Sequence, residues 1–356
     1  MNAMTGAAPK RSTRRGGGGR TIKDVARHAG VSPMTVSRVV NGERNVREAT
    51  REAVARAIEE LGYAPNLAAR SLASAQSLKI GLLYSNPSAA YLSEFLLGGL
   101  DQCSRAGAQL LVEKCDSDAS EAEAVERLLA AGVDAVLLPP PLCDSQRVVQ
   151  RLKAADLPAA AIASGAPAPG VASIRIDDRA AARAMTRHLL GLGHTRIAFV
   201  RGNPNQTVSE LRFQGYADAL AEHGLATDER LVAQGYFTYH SGLDAADQLL
   251  SLRQRPTALF ASNDDMAAAA VAVAHRQGLD VPRDLTIVGF DDTALATTVW
   301  PPLTTIRQPV AEMSREGVNA LLDVVRGKAE GAEVASADVL LDFALIRRQS
   351  DGPPVG

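Results

Sequence analysis

Residues 21–41 read TIKDVARHAGVSPMTVSRVVN. Thr21 with Asp24 three residues later is a capping-box start, hydroxyl and carboxylate satisfying free amides of a first helical turn. Ile22, Val25, Ala26 and Ala29 recur at helical spacing and make one apolar stripe. Gly30 ends that helix, since glycine accepts the left-handed conformation a helix C-terminus favours. Ser32 and Pro33 open a second helix, serine as N-cap and proline at the first helical position, where its missing N–H costs nothing. Two helices across a glycine turn form a helix-turn-helix, whose second helix enters the DNA major groove. An ordinary helical hairpin shares this spacing; what favours DNA is the outward face of the second helix. Thr35, Ser37, Arg38 and Asn41 offer hydrogen-bond donors there, and Arg38 can span both acceptors of a guanine edge.

The segment continues as a third helix over 48–61, with Ala49, Ala53, Ile58 and Leu61 expected against the first two and Gly62 ending it. Tyr63-Ala64-Pro65-Asn66 is a proline-marked break. The run Leu67–Ser74 has room for one short helical turn, marginal alone because nucleation is costly at that length. TIKDVARHAGVSPMTVSRVVN with the following TREAVARAIEELGYAPNLAARSL resembles, almost continuously from Thr21 to Leu72, the DNA-binding region of the lactose-repressor/galactose-repressor (LacI/GalR) family. The resemblance implies a sequence-specific regulator, a repressor first of all, on a pseudo-palindromic operator. It assigns DNA contacts to Thr21, Ser32, Pro33, Met34, Thr35, Ser37, Arg38, Asn41, Asn66, Ala69 and Leu72. Pro33 and Met34 fall where family members choose their operator, and neither side chain donates a hydrogen bond. Leu72 matches a leucine that wedges between base pairs from the minor groove, and Ala69 a residue that packs into that groove.

The charge is divided to suit this. The 356-residue chain has a net charge of only −2, yet residues 1–75 hold thirteen Lys/Arg against six carboxylates, leaving the remainder acidic. A basic head on an acidic body fits nucleic-acid binding by the head alone. Three cysteines without CxxC spacing fit a reducing compartment, and no apolar run is long enough to span a membrane. With no apolar segment behind the basic start, a cytoplasmic protein is expected.

From Lys79 strands alternate with helices. KIGLLY, AQLLVE, DAVLLP and PAAAI form one series of buried strands, RIAFV, TALFA and DLTIVGF a second. Such alternation gives parallel sheets covered on both faces, and two series give two lobes with a cleft beyond their strand ends. The family resemblance extends over this region, most clearly in VGFDDTALATTVWPPLTTIRQP. It implies a periplasmic-binding-protein-like core of two flavodoxin-like lobes, with crossings near 177, 307 and 335. The expected organisation is a disordered basic tail (1–19), a helix-turn-helix domain (20–65), a hinge helix and linker (66–77), the effector and dimerisation core (78–349) and a disordered tail (350–356). Within the core, lobe one comprises 78–177 and 307–335, lobe two 178–306 and 336–349.

Arg212, Asn263, Asp291 and Gln308 sit at or just after predicted elements where a cleft would form, and Tyr91 or Phe237 can cover the apolar side of a sugar ring. In the family, residues matching Tyr91, Arg212, Phe237, Asn263, Asp291 and Gln308 contact the effector. Asn263 equally suits an N-cap for the helix that follows. PSAAYLSEF around Tyr91 resembles the purine repressor's pocket segment more than the lactose repressor's, so a nucleobase stands beside the carbohydrate first expected. GxSxG, HExxH, P-loop and post-strand GxGxxG signatures are missing, and the six histidines show no metal-ligand spacing. No catalysis, cofactor or metal is expected. The eight residues after Arg348 hold no heptads, so a homodimer is expected and not a tetramer.

Overall fold

The computed structural model describes residues 21–40, 47–61, 77–85, 88–115, 120–331 and 336–355. The expected tail 1–19, Asn41, and Asn66, Ala69 and Leu72 of the expected hinge lie outside them, as do the side chains of Ser37 and Arg38. Residues 1–76 and 77–356 form two compact units.

In the first unit, α1 (Ile22–Ala29), α2 (Pro33–Val40) and α3 (Glu48–Leu61) pack around Val25, Ala26, Val36, Val54 and Ala57. The Thr21 N–H and hydroxyl donate to the Asp24 carboxylate at 2.9 and 2.7 Å. Gly30 takes φ +66° and turns the chain. The Ser32 hydroxyl accepts from the Thr35 N–H at 3.1 Å, capping α2. The inward face of α3 differs from the expected one. Ala49 is exposed, and the inward stripe runs through Val54, Ala57, Ile58 and Leu61. The larger Val54 buries more apolar area than an alanine one turn earlier would, and so sets the helix rotation.

The second unit holds two sheets of six strands. Lobe one contains β1 (Lys79–Tyr84), α4 (Ala89–Ala106), β2 (Gln109–Lys114), α5 (Glu121–Ala130), β3 (Ala135–Leu138), α6 (Gln146–Ala154), β4 (Ala159–Ile162) and β5 (Ala172–Arg175). Lobe two repeats the plan with α7 (Asp178–Gly191), β6 (Ile197–Arg201), α8 (Thr207–Glu222), β7 (Val232–Gln234), α9 (Tyr239–Leu250), β8 (Ala258–Ala261), α10 (Asp264–Arg276), β9 (Thr286–Asp291), α11 (Ala294–Thr298) and β10 (Thr304–Arg307). The chain then returns with α12 (Val310–Ala329) against lobe one, adds β11 (Asp338–Leu340) there, and ends with β12 (Ala344–Ile346) on lobe two. The orders β2-β1-β3-β4-β5-β11 and β7-β6-β8-β9-β10-β12 are the flavodoxin-like pattern, parallel except for β12. Central strands β3, β4, β8 and β9 are buried at every position, as helices on both faces require, whereas the edge strand β2 is partly exposed throughout.

Two expected boundaries move. The third crossing falls at 341–343, not near 335, because β11 pairs with β5 in lobe one. The Ser173 N–H donates to Ala337 O at 2.7 Å, and Leu341 N–H to Arg175 O at 2.8 Å. The tail expected to be disordered from 350 is pinned instead. The Ser350 hydroxyl accepts from Thr304 N–H at 2.8 Å, and Gly352 N–H donates to Thr286 Oγ1 at 3.0 Å. These bonds satisfy polar groups that β9 and β10 would otherwise leave buried and unpaired.

Candidate functional site

In a doubly wound sheet a ligand binds where the strand order reverses. Here those points are β1/β3 in lobe one and β6/β8 in lobe two, and the lobes turn them toward one cavity of about 400 Å³, its mouth included. Tyr91, Arg212, Phe237, Asn263, Asp291 and Gln308 all line it. Ser88, Pro140, Ala163, Gln206 and Val208 complete the lining and were not singled out in the sequence.

Arg212 is buried on α8 and anchored through two of its nitrogens. Its Nε donates to Asp178 Oδ1 at 2.7 Å and its Nη1 to Ser262 O at 2.6 Å. The guanidinium carbon lies 3.6 Å from the centroid of the Phe290 ring, close enough for a cation–π contact. Asp178 is therefore the residue that orients Arg212. Asp178 was not singled out in the sequence, because in β5, the strand that delivers it, Ser173 and Arg175 interrupt the apolar run and ASIR does not read as a buried strand.

Asp291 ends β9 at φ +113°, and Asp292 follows at φ +59°. Such values cost an L-residue energy unless its neighbours enforce them. Arg307 Nε and Arg348 Nη2 donate to the two oxygens of Asp292 at 2.7 and 2.6 Å, and hold this turn. Asp291 Oδ1 accepts from Gln308 Nε2 at 2.6 Å and lies 3.7 Å from Arg212 Nη1. Burial pushes the Asp291 carboxyl up to about 7, opposed by Arg212 and Gln308 and reinforced by Asp265 and Asp178. Burial likewise raises the Tyr91 phenol, with Asp291 adding to it.

Phe237 also sits at positive φ, +60°. Its ring lies where a side chain on residue 202 would be: a Cβ on Gly202 would come within 2.0 Å of Phe237 Cζ. Asn263 proves to be both alternatives. It lines the cavity, but its Oδ1 caps α10 by accepting from Met266 N–H at 3.0 Å, and its Nδ2 donates to Phe237 O at 3.1 Å. Two lining atoms are buried without a protein partner, Tyr91 Oη and Gln308 Oε1.

The lobes also touch beside the cavity. Thr207 at the start of α8 donates through N–H and hydroxyl to the lobe-one carboxylate of Asp144 at 2.9 Å each. Ser88 donates its hydroxyl to Asp265 of α10 at 2.7 Å.

On the head, Ser32, Pro33 and Met34 are exposed, with Met34 at 66%, while Thr21 is exposed at the start of α1. Thr35 is half-buried, its hydroxyl 2.9 Å from that of Ser32. Among the described residues no His, Cys, Asp or Glu cluster is arranged for a metal, and no helix is long and apolar enough to cross a membrane.

A helix-turn-helix unit on the same chain as a two-lobed core with a ligand-sized polar cleft defines a class, the DNA-binding transcriptional regulator under effector control. Residues 21–66 match the family described as bacterial regulatory proteins, lacI family, and residues 186–350 match the periplasmic binding protein-like domain. The chain belongs to the lacI family of bacterial regulators. It is 34% identical over 310 residues to the HTH-type transcriptional regulator AscG of Escherichia coli K12, covering 86% of this chain and 92% of that one. Among solved structures it is similar to the transcriptional regulator CelR in complex with cellobiose, with TM-score 0.71, 34% identity and coverage of 93% and 99%. The lac repressor dimer bound to operator and the anti-inducer ONPF matches at TM-score 0.67 and 31% identity, covering 94% and 99%. These relatives are named regulators, not enzymes.

Proposed function

We propose that this chain is a cytoplasmic homodimeric repressor of a pseudo-palindromic operator, released or recruited by a small polar effector, most simply a sugar, held between the lobes. The carrying observation is that six residues scattered from Tyr91 to Gln308 converge on one cavity, with polar atoms of both those residues left unpartnered. Buried polar groups without partners are costly and mark places where a ligand completes the bonding. The cellobiose complex of CelR supports the sugar over a nucleobase. On the head, Thr21, Ser32, Pro33, Met34, Thr35, Ser37, Arg38 and Asn41 form the proposed reading surface, with Asn66, Ala69 and Leu72 serving the minor groove. Phosphate contacts set the register and base edges the specificity. Exposed Leu97 and Leu100 on α4 and Val112 on the edge strand β2 give lobe one an apolar flank for a second copy.

An effector that prefers one lobe arrangement changes operator affinity, and DNA must change effector affinity by the same factor. The test is site selection from random DNA, followed by fluorescence anisotropy on the selected site with a sugar panel. One sugar should shift the operator Kd, and the Tyr91→Phe and Gln308→Ala variants should need more of it. Failure to select any palindrome, or no response to any small molecule, would refute the reading.

A further inference from the structure

We propose that Asp264, which does not itself line the cleft, is the residue that positions Asp291 for the effector. The inference rests on the effector reading above and concerns what holds the Asp291 carboxyl in place.

Asp291 and Asp292 sit in succession at φ +113° and +59°, a turn that persists only if its surroundings enforce it. The Asp292 side chain supplies one anchor, through Arg307 and Arg348. Thr293, the next residue, supplies another through its main chain, because its N–H donates to Asp264 Oδ2 at 2.8 Å. The Thr293 hydroxyl lies 3.3 Å from the same oxygen. Asp264 Oδ1 accepts from the Thr305 hydroxyl at 2.7 Å. Thr305 stands on β10 opposite Gly289 of β9, as Arg307 stands opposite Asp291. Asp264 therefore joins the start of α10, the residue after the strained turn, and the strand that runs beside it.

Asp264 is the first residue of α10, yet these contacts all leave that helix, whose cap is Asn263. Ion pairing does not account for it either. The side chain is fully buried, while Arg212 bonds Asp178 and both Arg307 and Arg348 bond Asp292. Burial, with Asp291 next in weight, pushes the Asp264 carboxyl well up toward the neutral acid. Both contacts survive protonation, because the Thr305 hydroxyl can rotate to accept from Oδ1. As an acid Asp264 also sets no second negative charge beside Asp291. The strand β9 makes room for it at Gly289, where a Cβ would stand 2.3 Å from Asp264 Oδ1. A buried carboxyl costs more than an apolar side chain in the same space; what this one secures is the Asp291 turn.

The experiment uses the full chain as wild type, Asp264→Ala and Asp264→Asn. Hydrogen exchange by mass spectrometry, without ligand, reads residues 288–296 directly. Titration with glucose, ribose, trehalose, glucose 6-phosphate and adenine reads binding. In Asp264→Ala, exchange in that segment should accelerate while β6 and β8 keep theirs. The probe that binds wild type should lose about tenfold in affinity, the scale of one buried hydrogen bond. Asp264→Asn should restore both readouts, its oxygen taking Thr293 N–H and its amide meeting Thr305 Oγ1. If Asp264→Ala does not fold, Thr305→Val removes one of the bonds and should move both readouts the same way by less. Unchanged exchange overturns the proposal, as does a loosened segment with unchanged affinity. So does an Asn variant as impaired as Ala, which would make the charge and not the geometry decisive. A panel in which nothing binds wild type refutes the effector reading and this proposal with it, and the exchange arm keeps that outcome distinct from a failure of positioning.

Discussion

Removing the hydroxyl of Tyr91 should make the protein more stable and its ligand weaker. The ring is 4% exposed and lies with its centroid 6.5 Å from that of Phe95, while Oη is buried with no protein partner. An unsatisfied buried polar group costs about 1–3 kcal/mol, and Tyr91→Phe deletes it without opening a cavity larger than one oxygen. For a core of this size that recovery corresponds to a rise in melting temperature of about 2–6 °C, read by calorimetry without ligand. If the hydroxyl is kept for the effector, the same variant should bind the effector about tenfold more weakly, the scale of one buried hydrogen bond. Opposite signs in the two assays are the signature of a group held for binding. A lower melting temperature would show that Oη has a structural partner. A higher one with unchanged ligand affinity would remove Tyr91 from the site.

Arg38→Ala should cost about 1–3 kcal/mol on a selected operator and much less on random DNA; equal losses in a competition assay would make Arg38 a phosphate contact. Gly202→Ala should displace the Phe237 ring, because the added Cβ would meet it at 2.0 Å; effector titration should show weakened binding with operator affinity retained in its absence. His194 is buried, donates Nε2–H to Gly352 O at 2.8 Å and accepts at Nδ1 from Thr257, and burial lowers its imidazole below the ordinary value of 6.5. Its contribution is present above about pH 6.5 and is lost as pH falls from there through the folded value, so melting temperature should drop with acidification in that window and less so in His194→Gln.

The parts of this fold that the sequence announced are those with local rules. The capped helices of the head and the continuously apolar buried strands each declare themselves within a dozen residues. β7, β11 and β12 have three residues each, and β5 sets Ser173 and Arg175 among its four, so none shows the continuous apolar run by which the four-residue β3, β4 and β8 are legible. The same reason displaced the last crossing and hid the role of the tail. At the cleft, residues after strand ends could be nominated, and family resemblance chose among them. Asp178 could not be reached in that way, because its role is defined by Arg212, 34 residues further on. Ala49 was misread because alanine spacing fits several rotations of α3, and only packing against Val25 and Val36 selects one.

The bonds from Thr207 to Asp144 and from Ser88 to Asp265 tie together elements more than sixty residues apart in the chain, one lobe to the other. Parting of these ties widens the cleft, so a ligand lodged among Tyr91, Arg212 and Gln308 exchanges with solvent faster as they part. Residence time is then governed by the opening rate of the core as well as by the ligand's own contacts, on the microsecond-to-millisecond scale of such motions. Two ligands of unequal affinity should share a ceiling on their exchange rate, and stopped-flow mixing with Asp144→Ala should raise that ceiling for both. The protein would in this way average over brief fluctuations in effector concentration and respond to those that outlast its own opening.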